Sequence, residues 1–234
     1  RLPKIGQSMW VDEMASVGFA SHSLNGFRDN IAQRDVHPPL YYLLLHFWIK
    51  LGTSDVWVRL LSLVIGIAVV GVACAIGWTI GGAEWGLASG ALAALSPGLV
   101  WPSQEARNYI LMTLWAGAAL LFLVRGLRQM GNWANWVLFG LCEGLSLLSF
   151  YYAAFFIVGA NAVLCGCCLV GKIRQQLLGK WLLSGIVALV VFAWWMPSFV
   201  AQASMVGAAK EFVPLSDAVR RIAWEASDVD PFSV

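Results

Sequence analysis

The sequence predicts an all-α fold: a polytopic bundle of transmembrane helices whose extracytoplasmic first loop carries an interfacial helix. Composition is the first observation behind this prediction. Hydrophobic residues make up 59% of the 234 and charged residues 12%, whereas soluble domains carry about 45–50% apolar and about 25% charged residues. The second observation is that the apolar residues gather into stretches of about twenty, the length of a helix that crosses a bilayer.

The first 55 residues are more polar than the rest and form the predicted outer loop, which we treat as a unit at 1–55. Within it, Pro38–Leu51 is strongly apolar but too short to span a membrane comfortably. Two prolines at its start fit the first turn of a helix, where a missing N–H costs nothing. We therefore expect an interfacial helix that lies against the membrane.

The second predicted unit, residues 56–200, is a bundle of about six spans. Because the chain starts at Arg1 rather than Met, we also expect a longer protein with at least one helix before Arg1. The remaining residues, 201–234, are predicted to be a truncated extracytoplasmic segment. The expected spans are Val56–Ile80, Trp85–Trp101, Tyr109–Leu127, Trp133–Phe150, Tyr151–Val170 and Trp181–Val200.

Loop charge gives the orientation of these spans, because short loops rich in Lys and Arg stay on the cytoplasmic side. Arg125 with Arg128 marks one such loop, and the Lys172–Lys180 region marks a second one two helices later. Counting from these loops places both residues 1–55 and Ser103–Arg107 on the opposite, outer face. The final segment falls on that face too, although it carries three basic residues against the rule: Lys210, Arg220 and Arg221.

Charge and cysteine content exclude several other classes. A net charge of +2 without a basic cluster argues against a nucleic-acid partner. The histidines and acids do not fall at a standard metal-site spacing, so no metal ligand is predicted. The five cysteines lie inside apolar segments, where they are expected to pack rather than to form disulfides; they are Cys74, Cys142, Cys165, Cys167 and Cys168.

The chemistry is expected on the outer face, because apolar packing does not need ionisable groups at a membrane surface. Asp12 and Glu13 follow Met9-Trp10, which would sit naturally at the lipid interface. A carboxylate partly withdrawn from water can act as a general base. Adjacent residues point in different directions, so we expect one base, with its neighbour orienting it or binding a polar ligand. The plain alternative is a solvated or helix-capping acidic pair.

Two further clusters share that face. His37 precedes Pro38-Pro39, which favour an extended backbone and present the imidazole at the end of the interfacial helix; a simple surface histidine is the alternative. The run Ser103 to Tyr109 contains Glu105 and Arg107, which could pair with each other. Arginine is also the side chain best suited to grip a phosphate through two hydrogen bonds.

In their order and spacing, these motifs resemble the membrane glycosyltransferases of the GT-C fold. The nearest branch contains protein O-mannosyltransferases, aminoarabinose transferases and bacterial lipopolysaccharide-sugar transferases of the Rgt type. The resemblance covers roughly the first half of the chain, and the second half matches only as generic spanning helices. The motifs are Asp12-Glu13, Asp35-Val36-His37-Pro38-Pro39-Leu40, Arg59-Leu60-Leu61-Ser62, Ser96-Pro97 and Ser103-Gln104-Glu105-Ala106-Arg107-Asn108-Tyr109.

The resemblance implies a sugar donor carried on a polyprenyl phosphate, a hydroxyl acceptor, transfer at the outer face of a bacterial plasma membrane, and no metal or other cofactor. Asp12 matches the family's acidic catalytic residue, and Glu13 matches its neighbour. Arg107 matches an arginine that contacts the lipid phosphate, with Glu105 and Tyr109 beside it in the motif. His37 falls where aminoarabinose transferases have a phosphate-binding lysine and O-mannosyltransferases have histidine.

The function expected from the residues and the resemblance together is an inverting glycosyltransferase. A transporter or flippase of a lipid-linked or small polar substrate is the main alternative, and it would require inverted repeats, broken helices and several polar residues at the midplane. Only Glu143, near the middle of a predicted span, fits that pattern, and the sequence shows no repeat. A membrane scaffold without activity is the third possibility.

Overall fold

The computed structural model describes residues 5–129, 132–169 and 175–209, and helices make up the regular structure of these residues. The predicted all-α membrane bundle is thereby confirmed. Most of the predicted outer segment 201–234 lies outside the described residues. The helices are α1 (Val11–Ser21), α2 (Phe27–Arg34), α3 (Leu40–Trp48), α4 (Asp55–Gly81), α5 (Ala83–Leu95), α6 (Pro97–Val100), α7 (Tyr109–Arg128), α8 (Trp133–Ser149), α9 (Ala153–Leu169), α10 (Gln175–Ala193) and α11 (Met196–Ala209).

Within the described residues, two helices are long and apolar enough to cross a membrane: α4 with 27 residues and α7 with 20. A third candidate is a bent pair of helices, Leu177–Ala193 and Met196–Met205, which meet at an angle of 69°. The pair is long and apolar enough only when it is counted as one span. The helix α9 is a shorter apolar one. Each of these helices overlaps a predicted span, but the count of about six spans stays a prediction.

The predicted span Trp85–Trp101 is interrupted in the structure. Helix α5 ends at Ser96, which has an extended backbone, and Pro97 opens the short helix α6. The break has a local cause, because proline has no amide hydrogen to donate and disfavours helical geometry in the residue before it. A 3₁₀ turn over Pro102–Gln104 follows. A largely buried loop that carries Arg107 then leads into α7.

The bundle has two ends that can be told apart by their contacts. At one end Arg128, in the last turn of α7, donates to the backbone oxygen of Ile80 in the last turn of α4, at 2.7 Å. At the other end, where α4 and α7 begin, the helices α1 and α3 pack together. There His46 Nδ1 lies 2.7 Å from the Ala20 carbonyl oxygen, and Tyr41 is fully buried. The polar motifs therefore meet at the start of α4 and α7.

Inside the bundle, polar side chains join three helices. Asn161 of α9 donates from Nδ2 to Oε1 of the buried Glu143 in α8, at 2.8 Å. Trp181 of α10 donates its indole N–H to Oδ1 of Asn161, at 2.6 Å. Asn161 is therefore the partner of Glu143, and its two hydrogen bonds link α9 to α8 and to α10.

Helices α8 and α10 approach each other closely at Gly140. A Cβ atom built on Gly140 would lie 2.1 Å from the backbone oxygen of Ser184. Small residues at such contacts let membrane helices pack backbone to backbone, which supplies much of their association energy.

Replacing Gly140 by Ala is therefore expected to destabilise the protein by about 1–3 kcal/mol through overpacking. The matched control is Gly159→Ala in α9, where an added Cβ meets no atom within 4 Å of the described structure. The measurement is the thermal unfolding midpoint of both variants in the same detergent. Equal midpoints would contradict the close packing of α8 on α10.

Candidate active site

Asp12 and Glu13 lie in the first turn of α1 and point away from each other. Glu13 is fully buried, and its carboxylate receives two hydrogen bonds from Arg59, from Nε at 2.8 Å and from Nη2 at 2.5 Å. The backbone N–H of Ala106 donates to the same carboxylate at 2.8 Å. Glu13 therefore joins three segments of chain: α1, the start of α4 and the loop before α7.

The surroundings of Glu13 keep it ionised. Burial alone would raise its pKa, but the hydrogen bonds from Arg59 and Ala106 outweigh that effect and hold the pKa below its ordinary value. A bidentate pair of this kind is also strongly directional. These contacts are those of a structural ion pair.

Asp12 stands at the surface beside Arg107. Its side chain is 45% exposed, and Oδ2 lies 3.6 Å from Nη2 of Arg107. Arg107 is buried, and its Nη1 donates to the backbone oxygen of Asp12 at 3.2 Å. Within the described structure, the buried Nε–H of Arg107 has no hydrogen-bond acceptor. The site thus combines an accessible carboxylate with a guanidinium that has a donor to spare.

His37 belongs to a second polar group, built on Asp35. Nδ1 of His37 lies 2.9 Å from Oδ1 of Asp35, and the Tyr42 hydroxyl donates to Oδ2 at 2.5 Å. Burial would raise the pKa of Asp35, but the hydrogen bonds from His37 and Tyr42 outweigh it and leave that pKa below its ordinary value. Because an ionised carboxylate can only accept, Nδ1 of His37 carries the proton and Nε2 is left to face a ligand.

A cavity of about 660 Å³ opens beside His37, and we call it the aromatic cavity. The His37 ring stacks on Phe150 with centroids 5.6 Å apart, and Phe150 also contacts Tyr109 and Tyr152. The guanidinium carbon of Arg107 lies 5.6 Å from the centre of the Tyr109 ring. Arg107 therefore adjoins this cavity through Tyr109. Its lining residues are Val36, His37, Tyr109, Phe150, Tyr151 and Tyr152.

A smaller cavity of about 270 Å³ lies at the start of α1, and we call it the indole cavity. Glu105 is found there, and it accepts a hydrogen bond from the indole N–H of Trp101. Arg107 contacts Asp12, so the two motif residues Glu105 and Arg107 have different partners rather than each other. The lining residues are Gln7, Ser8, Trp10, Glu13, Arg59, Trp101, Gln104 and Glu105.

The structure brings the predicted site residues to the same end of the bundle but divides them between two cavities. Glu13 and Glu105 line the indole cavity, and His37 and Tyr109 line the aromatic cavity. Asp12 pairs with Arg107, which contacts Tyr109 of the aromatic cavity. The roles predicted for these six residues in binding and catalysis stay predictions. No group of three or more His, Cys, Asp or Glu that could hold a metal occurs in the described ranges.

Sequence reasoning assigned no role to two residues that build this site. Arg59 appeared only as part of a motif, although a charge in the first turns of an apolar helix is itself a signal of a buried partner. Gln202 of α11 belongs to none of the sequence motifs. It is buried, and its Nε2 donates to the backbone oxygens of Asp35 at 2.9 Å and of His37 at 3.2 Å. Its Oε1 accepts from the Tyr151 hydroxyl at 2.5 Å.

Replacing Gln202 by Leu is expected to loosen the segment that carries Asp35 and His37, because their carbonyl groups lose a buried donor. Each unsatisfied buried group costs about 1–3 kcal/mol. The expected result is a lower unfolding midpoint and weaker binding of a ligand in the aromatic cavity beside His37. Gln33→Leu is the matched control, since Gln33 is exposed on the neighbouring helix α2. If both variants behaved alike, Gln202 would not be holding this segment.

Comparison with known proteins supplies the family. The model of the dolichyl-phosphate-mannose-protein mannosyltransferase family matches residues 36–197, more than half of the chain. The matched range includes His37, Glu105, Arg107 and Tyr109 and begins after α1. No curated protein and no solved structure matches the chain. The predicted resemblance to membrane glycosyltransferases of the O-mannosyltransferase type is confirmed, and the chain belongs to the dolichyl-phosphate-mannose-protein mannosyltransferase family.

Proposed function

We propose that the protein is an inverting glycosyltransferase that moves a sugar from a polyprenyl-phosphate donor to a hydroxyl acceptor at the outer face of the membrane. Family membership supports glycosyl transfer in general. The observation that carries the finer proposal is the pairing of the accessible Asp12 carboxylate with the buried Arg107 guanidinium, at 3.6 Å. A base and a phosphate-binding cation are the two groups that such a transfer requires.

In the proposed reaction the acceptor oxygen attacks the anomeric carbon of the donor sugar. The bond from that carbon to the phosphate oxygen breaks, and the acceptor proton passes to a carboxylate oxygen of Asp12. The leaving group is the polyprenyl phosphate, which departs as a stable anion and needs no proton. Attack from the face opposite the phosphate inverts the anomeric configuration.

Arg107 and His37 are the proposed partners of the phosphate. The Nε–H of Arg107 is a buried donor that lacks an acceptor within the described structure, and a phosphate oxygen would satisfy it. Charge-assisted hydrogen bonds of this kind stabilise the negative charge that develops on the leaving group. In the proposed complex His37 is the imidazolium: Nδ1–H stays on Asp35, and Nε2–H is a second donor to the phosphate in the aromatic cavity, which Tyr109 also lines.

Glu13 has a different role in this proposal. Its carboxylate is occupied by Arg59 and by the Ala106 amide, so it is poorly placed to take a proton from an acceptor. We assign it a positioning role: it fixes the first turn of α1 and the loop before α7, and thereby holds Asp12 and Arg107 next to each other.

Asp35 is expected to orient His37. Replacing Asp35 by Ala removes the acceptor that fixes the imidazole, and we expect the KM for the lipid donor to rise about tenfold, the effect of losing one good hydrogen bond to a charged group. His37→Ala should have a similar effect, and the double variant should be no worse than either single variant. The measurement is steady-state kinetics at varied donor concentration. Additive effects would show that Asp35 does not act through His37.

The function itself is tested with the full-length protein in membrane vesicles and a set of labelled polyprenyl-phosphate sugars. The expected result is transfer of label from the lipid to a hydroxyl product with inverted anomeric configuration, read by NMR. Supplying the donor to sealed vesicles of either orientation checks the outer-face assignment. A transporter would instead move the label across the membrane with its lipid linkage intact, and that result would overturn the proposal.

A further inference from the structure

We propose that the indole cavity is the acceptor site and that the acceptor hydroxyl it receives belongs to a saccharide. The role as acceptor site rests on the proposed transfer reaction; the affinity for a saccharide rests on the cavity alone. Its volume of about 270 Å³ is close to that needed for a single sugar ring with its hydroxyl groups.

The cavity is lined by aromatic and polar side chains, the combination that binds sugar rings in proteins. Trp10 is 46% exposed and Trp101 is 57% exposed, so both offer indole surface to a ligand. Aromatic faces pack against the apolar C–H faces of pyranose rings, while the ring hydroxyls need donors and acceptors around the edge. Glu105 and Gln104 lie in the same lining. A carboxylate can accept several hydrogen bonds, so the bond from Trp101 to Glu105 leaves it capacity for a hydroxyl.

The cavity is correctly placed for an acceptor. Trp10 and Glu13 line it from the start of α1, and Asp12 lies between them in sequence. Asp12 in turn pairs with Arg107, which contacts Tyr109 of the aromatic cavity. In the proposed arrangement an acceptor in the indole cavity meets the start of α1, and a donor phosphate beside His37 meets Arg107, so that the Asp12–Arg107 pair stands between the two substrates.

A peptide hydroxyl is the competing acceptor. An extended peptide needs a long groove and backbone partners along it, whereas this cavity holds about one ring. Backbone carbonyls that line it are already engaged, because those of Gln7 and Ser8 accept from Arg59. The observations therefore favour the saccharide.

The binding test uses the full-length protein in lipid nanodiscs free of sugar detergents, with methyl α-mannoside as the probe in saturation-transfer difference NMR. We expect binding to the wild type and a loss of affinity of about tenfold in Trp101→Ala, with partial recovery in Trp101→Phe. The matched control is Trp78→Ala, because Trp78 of α4 is similarly exposed, at 63% against 57% for Trp101, but lines a different cavity. A serine-containing hexapeptide is measured in parallel.

The kinetic test follows in the transfer assay, with methyl α-mannoside as acceptor. Trp101→Ala and Glu105→Gln should each raise the acceptor KM about tenfold and leave the donor KM unchanged. Unchanged acceptor KM in active variants, or binding of the hexapeptide in place of the saccharide, would overturn the inference and leave the transferase proposal standing. If no label moved in the wild type, the transferase proposal would be wrong. The NMR measurement would still show whether the indole cavity binds a saccharide.

Discussion

Replacing Asp12 by Asn is expected to lower the rate of sugar transfer roughly 100- to 10,000-fold, the contribution of a positioned general base. Asparagine keeps the size of the side chain but cannot accept the acceptor proton. The protein should remain folded, because the Asp12 side chain is 45% exposed and an asparagine oxygen in its place can still face Arg107. The measurements are kcat in the labelled-donor assay and the unfolding midpoint.

Asp29→Asn is the control for Asp12, since Asp29 is an exposed carboxylate in α2 of the same N-terminal segment. It should leave both the rate and the midpoint unchanged. Arg107→Gln should differ from Asp12→Asn by raising the donor KM as well as lowering kcat, because the guanidinium is proposed to hold the phosphate. Unchanged transfer by the Asp12→Asn variant would remove Asp12 from the mechanism and would leave the protein without its proposed base.

The largest effect on stability is expected at Glu13. Glu13→Ala leaves the Arg59 guanidinium buried without its carboxylate, and breaking a buried ion pair in this way costs about 3–5 kcal/mol. The pair is almost fully withdrawn from solvent, with side-chain exposures of 4% for Arg59 and 0% for Glu13. We expect a sharp fall in the unfolding midpoint. Activity should be lost as well, because Glu13 holds the helix turn that carries the adjacent Asp12.

A double-mutant cycle measures the interaction energy of Glu13 with Arg59 apart from the packing lost when each side chain is replaced. Glu13→Leu with Arg59→Leu removes both charges together, so the double variant should be more stable than the sum of the single effects predicts. Strict additivity would mean that the two side chains do not interact in the protein. The control is Glu84→Leu at the opposite end of the bundle, where the carboxylate is exposed.

The same pair predicts a pH dependence. Because the pKa of Glu13 is held below the ordinary carboxyl value of 4.5, the folded state favours the ionised form. The stability this provides is complete above that ordinary value and is lost as the pH falls through the lower pKa of the folded protein. Glu13→Gln should therefore show a weaker loss of stability in acid than the wild type.

The fold class followed from composition and stretch length, because the bilayer imposes both. The interruption at Ser96–Pro97 was harder to foresee. The stretch is apolar throughout, and hydropathy does not report where a proline redirects the backbone. The bend between α10 and α11 is similar, since the predicted span ran through it. Periodicity and length describe an apolar segment well but do not describe its breaks.

The site residues divide in the same way. Asp12, His37 and Arg107 could be selected from the sequence because charged groups beside lipid need a reason to be there. Their partners could not be selected. Arg59 lies 46 positions from Glu13, and Gln202 lies 167 positions from Asp35. Such pairs depend on how the helices pack, which a single sequence does not record.

The contacts of Gln202 also set an order of events during biosynthesis. A chain made from its N-terminus completes α1 to α10 before α11 emerges, and the segment carrying Asp35 and His37 waits for a donor that arrives more than 160 residues later. The proposed donor-binding half of the site is therefore completed last. A nascent chain would carry its acidic residue early but could not hold a lipid phosphate firmly until the helix bearing Gln202 had docked.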